Sequence, residues 1–287
     1  MTEHTVHMEN IYRGDLDIVY INLDKSTERM FSMEKKLSQF FEPSDFKRFQ
    51  AIQGDNRDAK IGKNELGCFL SHLEVIKTSS LNHPTLILED DVKFCKNFNI
   101  TLKNILKRLP KKSPEWDILF LAQITFIRQV FKTATLLQIK KEIPKGIFRI
   151  FDAKSHYAAS TSAYVINPRS KDKILNALKL NEEKGYPRPI DMCLKGAIDD
   201  ERLNCKFIFP YLTGLEDIET TIQNTTEKQI KSSRLSEDQL NLFFVDSNPS
   251  DLMKKYLEDS INIENNLDAY LASLILFNWL ALDRTKK

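Results

Sequence analysis

Two short runs in this chain leave no side of the backbone polar: "TLIL" (85–88) and most of "WDILFLA" (116–122). A strand with one wet face reads polar at every second position. A run that is apolar throughout must be covered on both faces, and that requires a layered architecture. The covering layers are legible as helical periodicity. After the strand candidate "DIVYINL" (17–23), Met30, Met33, Leu37 and Phe40 recur at helical spacing, with Ser26 or Thr27 available as a cap. After a second strand, "DFKRFQAI", the segment "NELGCFLSHLEVIKTSS" carries a stripe of Leu66, Phe69, Leu70, Leu73 and Ile76, with Asn64 placed to cap it. Weaker strands follow at "IFRIF" (147–151), "TSAYVI" (161–166) and "CKFIFP" (205–210). Between the last two lies the helix "PRSKDKILNALKL", with Pro168 in its first turn. Strands alternating with helices predict an α/β domain whose sheet is largely parallel and flanked by helices. In such sheets ligands bind outside the carboxyl ends of the strands. The polar ends of "INLD" and "LEDD" fall at that edge.

The chain of 287 residues is long enough for one large core with a small appendage. Its four cysteines (Cys68, Cys95, Cys193, Cys205) lie far apart and form no CxxC pair, so neither a zinc site nor a disulfide framework is expected. Asp15, Asp17 and Asp24 interrupt any apolar leader, and reduced thiols in a cytoplasm fit best. The sequons at Asn99 and Asn224 then go unused. Residues 93–145 hold twelve Lys/Arg against three acids, so this segment is +9 and the remainder −7, for a net charge of +2. Such a segment suits a phosphorylated or membrane-borne partner. Without interleaved aromatics it does not suggest nucleic acid. The last fifty residues look helical, and "NNLDAYLASLILFNWLAL" is apolar almost all round, yet shorter than the roughly twenty residues of a membrane span. Burial of Leu271, Leu274 and Leu280 against the domain is one reading. Docking on a membrane surface beside Arg284, Lys286 and Lys287 is the other. The expected division is an extension over 1–16, the domain over 17–230 and a helical region over 231–287.

Three consecutive carboxylates, Glu89, Asp90 and Asp91, end the first apolar run. Strand alternation puts Glu89 and Asp91 on one side and Asp90 on the other. Two hard oxygen donors on one side suit Mn²⁺ or Mg²⁺, with Asp90 left for backbone amides or a sugar hydroxyl.

In this order, the blocks of the chain resemble glycosyltransferase family 25, the lipooligosaccharide galactosyltransferases and their collagen-modifying relatives. The resemblance rests on "VYINLDKSTER" (19–29), "FKRFQAIQGD" (46–55), "NELGCFLSH" (64–72), "LILEDDV" (86–92), "ASTSAYVINPRSKDKIL" (159–175) and "PIDMCL" (189–194). It implies a GT-A type, Rossmann-like fold, a UDP-sugar donor, usually UDP-galactose, a divalent cation and inversion at the anomeric carbon. Carried over by residue, it implies that Asn22 and Leu23 border the nucleotide and that Arg29 approaches its phosphates. It also implies that Glu65 and His72 lie on the donor side. Asn64 stands where the family's helix often begins with Gly, and Thr221-Ile222 is a loose equivalent of its Ser-x-Ile.

Inverting transfer requires a carboxylate to take the acceptor's proton, on a loop apart from the cation's ligands. Asp191 is the expected base, with Glu216, Asp217 and Glu219 in reserve. The expected function is transfer of a hexose, galactose foremost, to a saccharide of lipooligosaccharide or a similar glycoconjugate. An inactive binding module of the same fold and a nucleotidyltransferase are the alternatives. Retention of Glu89, Asp91 and Asp191 disfavours the first, and the lack of a glycine-rich triphosphate loop disfavours the second.

Overall fold

A computed structural model describes residues 16–55, 59–109, 116–124 and 148–216, with 237, 238, 240, 241 and 243–246. The N-terminal extension, most of the basic segment and most of the C-terminal region lie outside the described residues.

Strands β1 (Asp17–Asn22), β2 (Phe46–Gln50), β3 (Thr85–Glu89), β5 (Ile118–Phe120), β6 (Arg149–Asp152), β7 (Ala163–Ile166) and β8 (Cys205–Phe209) form one sheet in the order β2-β1-β3-β7-β5-β8-β6. A two-stranded ribbon joins β4 (Val92–Phe94) to β9 (Thr213–Leu215). Helices α1 (Thr27–Leu37), α2 (Lys63–Thr78), α3 (Phe98–Arg108), α4 (Lys171–Glu183) and α5 (Ile190–Asp199), with a short 3-10 turn at Pro168–Ser170, complete the described elements.

The sheet is mixed, not mostly parallel. β1 runs parallel to β2 and β3, and β5 parallel to β8. β7 runs against both β3 and β5, and β6 runs against β8. The reason the sequence misleads is physical. β3, β5 and β7 are central and buried on both faces, so they read as uninterrupted apolar runs whatever their direction.

Period-two alternation divides the strands between two cores. Ile87, Ile118, Phe120, Tyr164, Ile166 and Phe207 face Leu66, Phe69, Leu73 and Ile76 of α2, together with α4 and α5. On the opposite face Ile18, Tyr20, Leu86, Leu88, Val165 and Ile208 meet Met33 and Leu37 of α1, and Phe98, Leu102 and Ile105 of α3. Three layers result. Phe98 is fully buried at the start of α3, among the rings of Phe40, Phe41 and Phe94. Neither α3 nor the ribbon was expected, although Phe98, Leu102 and Ile105 of α3 do recur at helical spacing; three-residue strands give no readable period. Beyond residue 231, Leu240, Phe243 and Phe244 are buried in the same cores, and Asn241 bonds both backbone groups of Leu215. Among the described residues no helix is long and apolar enough to cross a membrane.

Candidate active site

A cleft of about 420 Å³ opens at the carboxyl ends of β1, β2 and β3. Asn22 and Leu23 follow β1, Ala51 to Gly54 follow β2, and Glu89, Asp90 and Asp91 end β3. Arg29 in the first turn of α1, together with Asn64, Gly67, Cys68, Ser71 and His72 of α2, forms the other walls. The helix can come this close because of a glycine. A Cβ on Gly67 would lie 2.6 Å from the Ile52 carbonyl oxygen and 2.7 Å from the Gly54 nitrogen. Ser71 Oγ donates to the Gly67 carbonyl and accepts from the Ile52 N–H at 2.8 Å, which fixes the segment after β2 against the helix.

The acidic triplet is arranged differently from a continuing strand. β3 ends at Glu89, and Asp90 and Asp91 occupy a turn. One guanidinium nitrogen of Arg29 meets both aspartates, at 2.6 Å from Asp90 Oδ1 and 3.0 Å from Asp91 Oδ2. Asp90 Oδ2 accepts from Asn22 Nδ2 at 2.6 Å. Asn22 is itself held by donating to the Ser26 carbonyl and accepting from Arg48 Nε, so it positions Asp90. Glu89 faces away from the guanidinium. Its Oε1 accepts from Thr161 Oγ1 at 3.1 Å and lies 3.3 Å from His72 Nε2, off the line of a good hydrogen bond. His72 Nδ1 is 3.0 Å from the Tyr164 hydroxyl.

The charges do not balance. Burial, and then the neighbouring Glu89, push the Asp91 carboxyl up to about 7 against the pull of Arg29. Burial also raises Asp90, against Arg29 and Asn22. Glu89 moves the other way: burial opposes its ionisation, but His72 and Thr161 together hold it below the usual carboxylate range. Asp91 Oδ1 is buried with no hydrogen-bond partner. Two aspartates on one arginine, with Glu89 adjoining them and a buried Asp91 oxygen left over, supply hard oxygen donors of the kind a divalent cation takes. A second set, Cys68, His72 and Glu89, also brings three ligating atoms together. The Cys68 thiol is held well above its ordinary value by burial and then by Glu89.

Of the other expected site residues, Leu23 lines the cleft and Glu65 does not. Glu65 Oε2 accepts the Gly62 N–H at 2.9 Å, so it closes the first turn of α2, whose cap is Gly62 and not Asn64. Asp191 lies outside the cleft lining, in the first turn of α5 behind Pro189, which takes the cap position. Its Oδ1 accepts from the Met192 N–H at 2.7 Å and its Oδ2 from the Ser160 N–H at 3.5 Å. Burial raises the Asp191 carboxyl, against these two backbone donors. Ser160 holds a φ of 90°, which a non-glycine residue rarely adopts. Glu216 is joined to the cleft through its N–H, which donates to the Asp91 carbonyl, and through an ion pair with Lys36 at 3.2 Å. Asp217 and Glu219 lie outside the described residues.

Thr161, Tyr164 and Cys68 were not expected at the site. Only Cys68 left a trace in the sequence, standing four residues before His72 on one helix face.

Residues 16–194 match the family described as Glycosyltransferase family 25 (LPS biosynthesis protein), well over half of the chain. Procollagen galactosyltransferase 1 of Danio rerio is 29% identical over 123 residues, 42% of this chain and 18% of its own length. Putative glycosyltransferase R655 of Acanthamoeba polyphaga mimivirus is 26% identical over 176 residues, 54% of this chain and 51% of its own. The chain therefore spans under a fifth of the procollagen protein and about half of the viral one. The crystal structure of a glycosyltransferase involved in the glycosylation of the major capsid of PBCV-1 overlays with a TM-score of 0.32 at 10% identity, covering 76% of this chain and 98% of its own. That overlay is too loose to bear on the site. The family match runs through β1, β2, α2, β3 and β7 to the start of α5, the elements that build the cleft and hold Asp191, and the chain belongs to glycosyltransferase family 25.

Proposed function

We propose that this chain is an inverting, GT-A type glycosyltransferase that moves a hexose, galactose foremost, from a UDP donor to a saccharide of lipooligosaccharide or a similar glycoconjugate. The observation that carries the reading is the buried, unpartnered Asp91 Oδ1 in a triplet of acids that a single arginine does not neutralise. Glu89 and Asp91 would hold Mn²⁺ or Mg²⁺, which when bound offsets the charge that grows on the departing diphosphate. Asn22 and Leu23 border the nucleotide, and Asn22 also holds Asp90 in place toward the sugar. Arg29 stands where the diphosphate would lie and keeps the aspartates from repelling one another apart. His72 braces Glu89 from the far side.

Asp191 is the base. As the acceptor oxygen bonds to the anomeric carbon, the bond from that carbon to the diphosphate oxygen breaks, and the hydroxyl proton passes to the Asp191 carboxylate. Its position beyond the cleft lining, connected through Ser160 and Thr161 to Glu89, suits an acceptor arriving on the face opposite the leaving group. The basic segment suits a phosphorylated, lipid-borne acceptor at the cytoplasmic membrane face, which would make the enzyme peripheral there.

The test is a donor screen on the full chain. UDP-galactose, UDP-glucose and UDP-N-acetylhexosamines are each supplied with Mn²⁺ and lipooligosaccharide-derived saccharides, and product anomers are read by NMR. Transfer with inversion is expected. Failure of every UDP-sugar to bind in the presence of Mn²⁺ would overturn the reading, and binding without transfer would favour a binding module.

A further inference from the structure

The cleft contains a second set of ligating atoms that shares only Glu89 with the ligands proposed above for the donor's cation. Cys68, His72 and Glu89 each bring one, and all three lie within 4.8 Å of one another. Cys68 and His72 are one helical turn apart, so their side chains leave α2 on the same face, toward the end of β3. His72 is 1% exposed; its Nε2 is buried, makes no hydrogen bond and stands 3.3 Å from Glu89 Oε1. Its other nitrogen is engaged by the Tyr164 hydroxyl. An outer partner on one ring nitrogen, with the other nitrogen left open, is how histidines are set for metal ligation. The spacing fits too. In a tetrahedral site with bonds of about 2.0–2.1 Å, ligating nitrogen and oxygen stand roughly 3.3 Å apart.

We propose that Cys68, His72 and Glu89 form a zinc site in the floor of the cleft, with the fourth coordination position open to it. A thiolate and an imidazole are softer donors than the aspartates alongside, and select zinc over manganese or magnesium. As the zinc–sulfur bond forms, the thiol proton leaves to solvent. Glu89 cannot serve both centres, so zinc here antagonises Mn²⁺-dependent donor binding. The site stands on side-chain geometry alone; only the antagonism rests on the donor reading above.

The experiment titrates Co²⁺, a spectroscopic stand-in for zinc, into the full-length reduced protein. Thiolate ligation produces a sulfur-to-cobalt charge-transfer band in the near ultraviolet, which an all-oxygen site cannot give. One equivalent is expected to develop the band and Zn²⁺ to abolish it. Cys68→Ser should lose the band. Tyr164→Phe should keep it while weakening Co²⁺ about 10–100-fold, the cost of losing an outer partner. Asp91→Asn should keep it at full strength, which separates this site from the acid triplet. No band in the wild type, or a band that survives in Cys68→Ser, would overturn the proposal. Should the serine variant not fold, Cys68→Ala and the wild-type titration decide in the same way. A band together with unchanged Mn²⁺-dependent UDP-sugar affinity would uphold the site and sink the antagonism.

Discussion

Two glycines in helices should respond to the same substitution with opposite sign. At Gly67 in α2, an added methyl would meet the Ile52 carbonyl oxygen at 2.6 Å and the Gly54 nitrogen at 2.7 Å. Both atoms are backbone, so no side chain can swing aside. The helix must retreat, or the segment after β2 must move with its bond to Ser71. Overpacking of this kind costs about 1–3 kcal/mol. At Gly196 in α5 an added Cβ meets nothing within 4 Å. There the change only removes glycine's backbone entropy and stabilises by about 0.5–1 kcal/mol. For a domain of this size 1 kcal/mol moves the midpoint by about 2–4 °C. Thermal melts followed by circular dichroism should therefore place Gly67→Ala about 2–12 °C below the wild type and Gly196→Ala about 1–4 °C above it. Because residues 52–54 also line the cleft, Gly67→Ala should lose UDP affinity at temperatures where it is fully folded. A Gly67→Ala protein that melts with the wild type would refute the close approach and the cleft wall built on it.

Asp191→Asn should lower turnover about 10²–10⁴-fold with donor affinity unchanged, measured by initial rates beside UDP calorimetry. The raised Asp191 carboxyl sets a pH signature: the base works only when ionised, so the acid limb of turnover should lie above the ordinary aspartate range of about 3.9. The same shift means that the native state favours the neutral carboxyl. Stability from that preference is present below the ordinary value and lost as pH rises through the raised one, so Asp191→Asn should gain midpoint relative to wild type on going from acid to neutral pH. Asp91→Asn should weaken Mn²⁺ binding in the presence of UDP more than Asp90→Asn does, since Asp91 has a free oxygen and Asp90 has both engaged; equal losses by calorimetry would refute the assignment. Phe98→Ala should cost about 3–5 kcal/mol by denaturant titration, because its whole ring fills the core between α1 and α3.

Sequence patterning reveals most of the layers and little of the site's wiring. The seven strands of the sheet and three of the five α-helices follow from periods of two and 3.6, because burial on a fixed face leaves a mark at every turn of the chain. Strand direction leaves no such mark in a doubly covered strand, and the reversal of β7 went unseen for that reason. The acids at the end of β3 were visible as a charge cluster, but their sides were not. The turn at Asp90 breaks the alternation and brings both aspartates to Arg29. Glu65 shows the opposite limit: its place in a family block suggested a ligand, and its geometry makes it the closure of a helix start. Thr161 and Tyr164 reach Glu89 and His72 across more than 70 positions of sequence, a separation that local spacing cannot encode.

The reversal of β7 has a consequence for how Glu89 and Asp191 keep their distance. Because β7 runs against both neighbours, the end where it joins the sheet is the end where β3 and β5 leave it. Two successive residues just before that end, Ser160 and Thr161, hold the two acids: the Ser160 N–H donates to Asp191 and the Thr161 hydroxyl to Glu89. The two anchors are joined by a single peptide unit, about 3.8 Å from one Cα to the next. Two loops packed independently would let that spacing drift with every insertion. Here the two anchors stay adjacent however the chain before residue 159 is lengthened, and only the span from 167 to 190, which carries α4, decides where α5 presents Asp191 to them.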